Sequence, residues 1–319
     1  MKYIAGSRGF SPPGQTSVTI GNFDGVHLAH RELVRRTVEH ARDLGGPAVA
    51  LTFSPHPIRF LSPGARMYEI TTVGEKAALM EELGIDFFVV ESFDGEIGGM
   101  TPGDFAGTIL HERLKARVVT VGYDFNFGKD RAGSPETLSG FGRELGFTVD
   151  VVPPMTRGGA IVSSSRIREL ILGGRVREAE ELLCRPYKVS GPVVRGAGRG
   201  RKLGYPTANV QFTQELVPLP GIYVVDAEAG DAVHRGVANI GFSPTFGENC
   251  LGLEAHLFGF EGDLYGREMT VWFRDRIRDE RKFQSVEELV RQIGKDAEFA
   301  RGTKIPLWKR PRAPEASCG

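Results

Sequence analysis

Thr16-Ser17-Val18-Thr19-Ile20-Gly21-Asn22-Phe23-Asp24-Gly25-Val26-His27-Leu28-Ala29-His30 decides the fold, together with the apolar residues Leu33, Val34, Val38 and Ala41 that follow it. The run from Thr16 to Ile20 is β-branched and reads as a buried strand. The spacing of three and four residues beyond it reads as an amphipathic helix through Leu44. Strand, short loop and helix in that order open a parallel αβ unit. His27 and His30 fall in the first helical turn, where unbonded backbone N–H groups and the helix dipole favour an anion. Two imidazoles three residues apart there share one face. An isolated H-x-x-H also suits a helix whose early histidines are simply hydrated, so the pair gains meaning from the rest of the chain.

Working outward, the pattern repeats as far as Val152. PAVALTF (47–53), DFFVV (86–90), ARVVTVG (116–122) and FTVDVV (147–152) alternate with helical stretches at 28–44, 74–83, 102–115 and 135–145. This predicts an α/β domain with a Rossmann-like parallel sheet covered on both faces. Thr101-Pro102 offers a cap followed by proline at a first helical position. Short helices are expected over Ser165 to Leu172 and Arg175 to Leu183. Beyond Arg185-Pro186 the texture changes to β-rich runs broken by glycine and proline, among them YKVSGPVV (187–194), GIYVVDAE (221–228), HRGVANI (234–240) and EMTVWF (268–273). These predict an antiparallel barrel or sandwich. Ser285-Val286-Glu287-Glu288 reads as a capping box opening a terminal helix, with Val286, Leu289, Val290, Ile293 and Ala297 as its apolar stripe. The proline-containing tail after Ile305 reads as frayed. The expected domains are 1–184 and 185–319.

The bulk numbers agree with two domains, since 319 residues are long for one core. Forty basic and forty acidic residues leave no net charge, which argues against a protein that coats nucleic acid or an anionic membrane. The apolar runs are strand-sized and MKYIAGSRGF lacks a signal-peptide core, so no membrane span and a cytoplasmic location are expected. Cys184, Cys250 and Cys318 are odd in number and far apart, which excludes a disulfide framework and a C-x-x-C metal knuckle.

Several further segments carry chemistry. Thr52-Phe53-Ser54-Pro55-His56-Pro57 follows a strand, and its prolines are expected to hold an extended turn that lines a pocket. Gly122 to Gly133 forms an aromatic, glycine-rich loop with Asp124, Asn126 and Arg131 at a strand's carboxyl end. It lacks the spacing and the Ser or Thr of a P-loop. In Ser163-Ser164-Ser165-Arg166-Ile167-Arg168, hydroxyls and arginines converge at a helix start, which suits a polyphosphate. Arg195-Gly196-Ala197-Gly198-Arg199-Gly200-Arg201-Lys202 sets positive charge among small residues, so that backbone approaches an anion closely. Read alone, it fits a solvated basic hairpin. Thr207 and Asn209, two apart on a strand, turn both oxygens to one side and suit magnesium already held by ATP phosphates. Glu254 alternates with buried positions and is placed to deprotonate an alcohol, or to be a surface carboxylate.

Taken together, the chain resembles the prokaryotic bifunctional riboflavin kinase/FMN adenylyltransferase family, also called FAD synthetase. The resemblance runs from about Thr16 to Ala300. It rests on GNFDGVH-x-x-H, TF-x-PHP, G-x-DF-x-FG-x-x-R-x-G and SS-x-RIR, then RGR-x-LG-x-PTAN, GIY, NIG-x-x-PT, E-x-H, DLYG and IR-x-E-x-KF, all in the family's order. It implies a nucleotidylyltransferase domain joined to a six-stranded antiparallel barrel with a terminal helix. Riboflavin, FMN and ATP would be the partners, Mg2+ the cofactor, and FMN and FAD the products. His27, His30 and Arg166 would act on the ATP phosphates, with Ser164, Ser165 and Arg168 holding them. Asn22, Phe23, Asp24 and Gly25 would shape the nucleotide pocket, and Asp124 and Asn126 the flavin pocket. In the second half, Gly196, Gly198, Arg199, Lys202 and Pro206 would cover ATP. Thr207 and Asn209 would be metal and phosphate ligands, Glu254 the base, and Arg278 and Glu280 flavin neighbours. Ala29 stands where the family usually has glycine, Ser54 replaces a frequent glutamate and Cys184 a glycine. No nucleic-acid partner and a monomer or weak homo-oligomer are expected. Two other readings stay open at this point: a nucleotidyltransferase for another acceptor with the barrel as a recruiting module, and a non-enzymatic RNA-binding barrel.

Overall fold

The computed structural model describes residues 1–196, 198–242 and 251–309. Cys250, Cys318 and the Pro244-Thr245 of the NIG-x-x-PT segment lie outside the described residues. By internal packing the chain divides into two compact units, one from Met1 to Ser164 and one beginning at Ser165.

In the first unit six strands form one sheet: β1 (Lys2–Ala5), β2 (Thr16–Ile20), β3 (Ala48–Ser54), β4 (Phe87–Ser92), β5 (Ala116–Gly122) and β6 (Thr148–Val152). Their order is β1-β4-β3-β2-β5-β6 and every neighbouring pair is parallel. The strand reading anticipated five of the six. β1 is short and mostly exposed, so it lacks the apolar run that marks the others. The helices are α1 (Leu28–Leu44), α2 (Pro57–Leu61), α3 (Val73–Glu82), α4 (Gly95–Gly99), α5 (Pro102–Asp104) and α6 (Pro135–Leu145). α5, capped by Thr101 as expected, runs into a π-helix over Phe105–Arg113. That wider winding lets Phe105, Ala106, Ile109, Leu110 and Leu114 all bury on one side of the sheet. There they meet Val18, Ile20, Val49, Leu51, Val119 and Leu138. On the other face Leu33, Val34 and Ala41 of α1 and Met80 of α3 pack on Ala48, Ala50 and Phe88. Each fully buried side chain of this size contributes about 2 kcal/mol from apolar burial.

The strand order sets the site. The chain moves from β2 outward through β3 and β4, then returns to β2's other side as β5 and β6. The carboxyl ends of β2 and β5 therefore flank a topological switch point, where open αβ sheets leave a crevice. Pro57 departs from expectation. Instead of holding an extended turn it is the first residue of α2, and the His56 side chain caps that helix by accepting from Ile58 N–H at 3.2 Å.

The second unit opens with α7 (Ser164–Leu172) and α8 (Val176–Leu183) and continues as a closed antiparallel barrel. Its strands are β9 (Tyr187–Val194), β10 (Ala208–Val210), β11 (Gly221–Ala229), β12 (Ala232–Phe242), β13 (Leu251–Leu257) and β14 (Glu268–Arg278), in the order β10-β13-β12-β11-β14-β9. A two-stranded hairpin, β7 (Thr156–Arg157) with β8 (Ala160–Ile161), precedes α7. α9 (Arg199–Lys202) follows β9, and α10 (Val286–Gly302) ends the unit. The units part at Ser164/Ser165, ahead of the compositional boundary at 184/185, because α8 buries Val176, Ala179, Leu182 and Leu183 against β9 and β14.

Asp226, fully buried on β11, binds Arg235 at 2.5 Å and Arg274 at 2.9 Å, and Arg274 reaches Glu180 of α8 at 3.0 Å. Burial pushes the Glu180 carboxyl above the usual range even with Arg274 beside it. The start of the tail departs from expectation, and residues 310–319 lie outside the described residues. Residues just past Ile305 are tied down, since Trp308 N–H donates to Asp226 at 2.8 Å and Arg235 donates to the Ile305 carbonyl at 2.9 Å. α10 is capped as expected by Ser285, which accepts from Glu288 N–H, but the Glu288 carboxylate returns to Gln284 N–H. Val286 of the expected apolar stripe is 56 % exposed, while Asp296, Ala297 and Ala300 are buried.

Candidate active sites

Between β2 and α1 the backbone turns tightly. Val26 N–H donates to the Phe23 carbonyl at 3.1 Å, and Phe23 and Val26 hold φ of 46° and 40°. A β-branched residue at positive φ is an outlier that persists only where its surroundings impose it. Asp24 imposes it here. Only 1 % exposed, its carboxylate accepts from Ile70 N–H at 2.9 Å and Thr71 N–H at 3.1 Å, while Gly25 N–H donates to Thr71 Oγ1 at 2.9 Å. Asp24 therefore anchors the loop from beneath through its side chain. Ser164 Oγ donates to the Asp24 carbonyl at 2.8 Å, which brings the start of the serine cluster to this loop.

His27 is the N-cap of α1 and is 4 % exposed, its Nδ1 accepting from His30 N–H at 3.4 Å. That bond assigns the ring proton of a neutral His27 to Nε2. The two imidazoles stack with centroids 3.6 Å apart, and Phe23 meets His30 edge-on at 5.4 Å. The pair is thus one rigid unit at a helix start that already favours anions. Ala29 occupies the second position of α1 and is partly exposed beside it. Asn22 and Gly25 complete the same loop.

Across the switch point, the loop after β5 holds its own shape. Asn126 Nδ2 donates to the Asp124 carbonyl at 2.7 Å, Phe125 stacks on Phe127 at 5.4 Å, and Phe127 pairs with Gly133. Asp124 and Asn126 are exposed. Ser165, Arg166 and Arg168 lie on α7, in the second unit.

The barrel builds its candidate site from strand register. Asn209 of β10 pairs with Glu254 of β13, which pairs on its other side with Asn239 of β12. Cross-strand partners stand about 5 Å apart. The adjoining row, Ala208, Ala255 and Ala238, is in the same register one residue along, and its Ala255 and Ala238 are buried in the barrel. The Asn209–Glu254–Asn239 row therefore faces outward. Ile222 and then Arg278 continue it around the barrel. The glycine-rich loop lies on this row. A Cβ at Gly196 would stand 2.5 Å from Asn209 Nδ2, and one at Gly200 would stand 3.1 Å from Thr207 Oγ1. Any side chain at 196 would displace Asn209, which is the physical reason for glycine there.

Pro206 is fixed by its carbonyl's bond to His256 Nδ1 at 2.8 Å. Gly198, Arg199 and Lys202 are exposed around α9. Glu280 reaches the same face, its carboxylate lying where a Cβ on Gly241 would be. Arg278 ends the row on β14. It binds buried Asp296 at 2.6 Å and so ties α10 to the barrel. Among the described residues no three His, Cys, Asp or Glu side chains gather to hold a metal, and no helix is long and apolar enough to cross a membrane. Sequence reasoning missed Asn239. Its signal was the same strand alternation that marked Glu254.

Comparison with known proteins finds two family models along the chain. A FAD synthetase family model matches residues 11–166, and a riboflavin kinase model matches residues 183–303. The bifunctional riboflavin kinase/FMN adenylyltransferase of Pseudomonas fluorescens is 36% identical over 308 residues, covering 96% of this chain and 99% of that one. The Escherichia coli K12 protein of the same name is 36% identical over 304 residues, covering 94% and 97%. The Bacillus subtilis one is 35% identical over 292 residues, covering 89% and 90%. A crystal structure described as a macrolide-efflux protein from Streptococcus pneumoniae superposes with a TM-score of 0.88 at 33% identity, covering 95% of this chain and all of that one. With both family models matched in order and relatives aligned along nearly their full length, the chain belongs to the bifunctional riboflavin kinase/FMN adenylyltransferase family.

Proposed function

We propose that this protein makes FMN and FAD by two ATP-dependent reactions at separate sites. In the barrel, the 5′-hydroxyl of riboflavin attacks the γ-phosphorus of ATP. Glu254 takes the hydroxyl proton, the bond to the β-phosphate bridging oxygen breaks, and ADP leaves with FMN as the other product. In the first unit, an FMN phosphate oxygen attacks the α-phosphorus of a second ATP, giving FAD and pyrophosphate. His27 and His30 meet the charge that moves onto the pyrophosphate, with Ser164, Ser165, Arg166 and Arg168 as further phosphate ligands. The observation that carries the reading is that one chain holds a stacked histidine pair at a helix start and, separately, a carboxylate between two asparagines beneath a glycine-rich loop.

Thr207 and Asn209 fit Mg2+ as neutral oxygen donors. Among the described residues no carboxylate cluster gathers around them, so they suit an ion that arrives with ATP rather than one caged by protein. That ion supplies charge neutralisation on the transferred phosphate. Arg199 and Lys202 flank the same phosphates, while Asp124, Asn126, Arg278 and Glu280 line flavin subsites. The reading assigns no nucleic-acid partner, a cytoplasmic location where ATP is abundant, and a monomer or weak homo-oligomer that sedimentation at working concentration would reveal. Purified protein given riboflavin, ATP and Mg2+ is expected to yield both FMN and FAD. Folded protein that forms neither defeats the proposal.

A further inference from the structure

Lys76 is a buried cation that the two reactions above leave unused. It is 1 % exposed, one turn into α3, on the face that carries Val73, Ala77 and Met80 toward the core containing Phe23 and Val26. Among the described residues its ammonium makes no hydrogen bond and no ion pair. Taking an ammonium out of water without a counter-charge is costly, and a methionine would fill the same space without that cost. Packing therefore gives no reason for a lysine at this position.

The direction of the side chain supplies one. Helical side chains lean toward the helix N-terminus. α3 follows β3 and leads into β4 of a parallel sheet, so its N-terminus lies at the carboxyl edge where the crevice opens. Residues 70 and 71, just before the Thr72 cap, are bonded to Asp24, which is three residues ahead of His27. That lean directs the stem of Lys76 toward the end of α3 where residues 70 and 71 hold the β2–α1 loop. We propose that Lys76 is a phosphate-binding residue of the adenylyl-transfer site, its ammonium pairing with phosphoryl oxygens of a reactant. This rests on the reading of the first unit as an adenylyltransferase.

The bifunctional chain carries its own folding control. In full-length Lys76→Met, kcat/KM for FAD formation from FMN and ATP is expected to fall about 30-fold, roughly 2 kcal/mol at 1.36 kcal/mol per decade. Riboflavin kinase activity should stay within about twofold and the thermal midpoint should not fall, since an unpaired buried charge has been removed. Lys76→Arg should recover most of the loss, because the charge returns. A rise confined to KM for ATP assigns the triphosphate as the paired group, and one confined to KM for FMN assigns its monophosphate. A methionine variant that keeps FAD formation within about twofold overturns the inference, as does a loss that arginine does not rescue and that comes with a lower thermal midpoint. Wild-type protein that forms no FAD in the same assay defeats the parent reading, and this inference with it.

Discussion

The two units assemble their sites by opposite means. In the first, the candidate site sits in loops between regular elements, and the β2–α1 loop keeps strained dihedrals because the buried Asp24 carboxylate clamps it to residues 70 and 71. In the barrel, the candidate site sits on the strands themselves, where hydrogen-bonded register brings Asn209, Glu254 and Asn239 side by side. A loop site depends on distant anchors and tolerates re-aiming. A register site is fixed by the ladder, because a slip of one residue would turn every one of its side chains into the core.

The largest effect expected is from Glu254→Gln, which removes the proposed base and leaves the register intact. FMN formation should fall about 10²–10⁴-fold while FAD formation from supplied FMN persists, measured by product chromatography. Retained kinase activity would break the assignment of the barrel site. Next, His30→Ala should lower FAD formation about 10²–10³-fold and spare FMN formation, since it removes one imidazole of the stack and leaves Phe23 without its edge-on ring partner. Equal loss of both activities would show that the units do not act separately. Gly196→Ala sharpens the register argument, since its methyl would displace Asn209. We expect FMN formation to fall about tenfold with little change in the unfolding midpoint.

Asp24→Asn probes the loop clamp. It should cost about 1–3 kcal/mol in denaturant unfolding of the first unit, because a buried acceptor facing backbone N–H groups becomes partly a donor. The smallest effect belongs to Glu32 of α1. Its hydrogen bonds and charge interactions with Arg35 and Arg36, the Arg35 bond foremost, hold its carboxyl down at about 2. A depressed folded-state value means stability present above the unfolded value of 4.5 and lost as pH falls from there toward 2. Glu32→Gln should therefore reduce stability by less than about 1 kcal/mol at pH 7 and by nothing near pH 2, since the pair is partly solvated.

The alternation of β-branched runs with helical spacing was enough for the α/β unit, and period-two alternation around Glu254 was enough to turn it away from the barrel core. The motif order was enough for the family. Other features were not legible. β1 carries too few apolar residues to announce itself, and its place beside β4 comes from sheet geometry. The ion pair of Arg278 with Asp296, eighteen positions away on α10, was set by how that helix packs on the barrel. Pro57 gives equal support to an extended turn and to a helix start, and only the chain around it chooses.

What the sequence by itself determined is most of the regular elements and the two chemistries, because periodicity, caps and phosphate-binding residue types are local properties. The tertiary structure alone decided which side chains are spent on architecture. Asp24 braces a loop, Asp226 receives the tail at Trp308, and Lys76 lies buried with no partner among the described residues. The reason is physical: a polar group's role follows from whether its partner is water, protein or ligand, and that partner is chosen only when distant segments close around it.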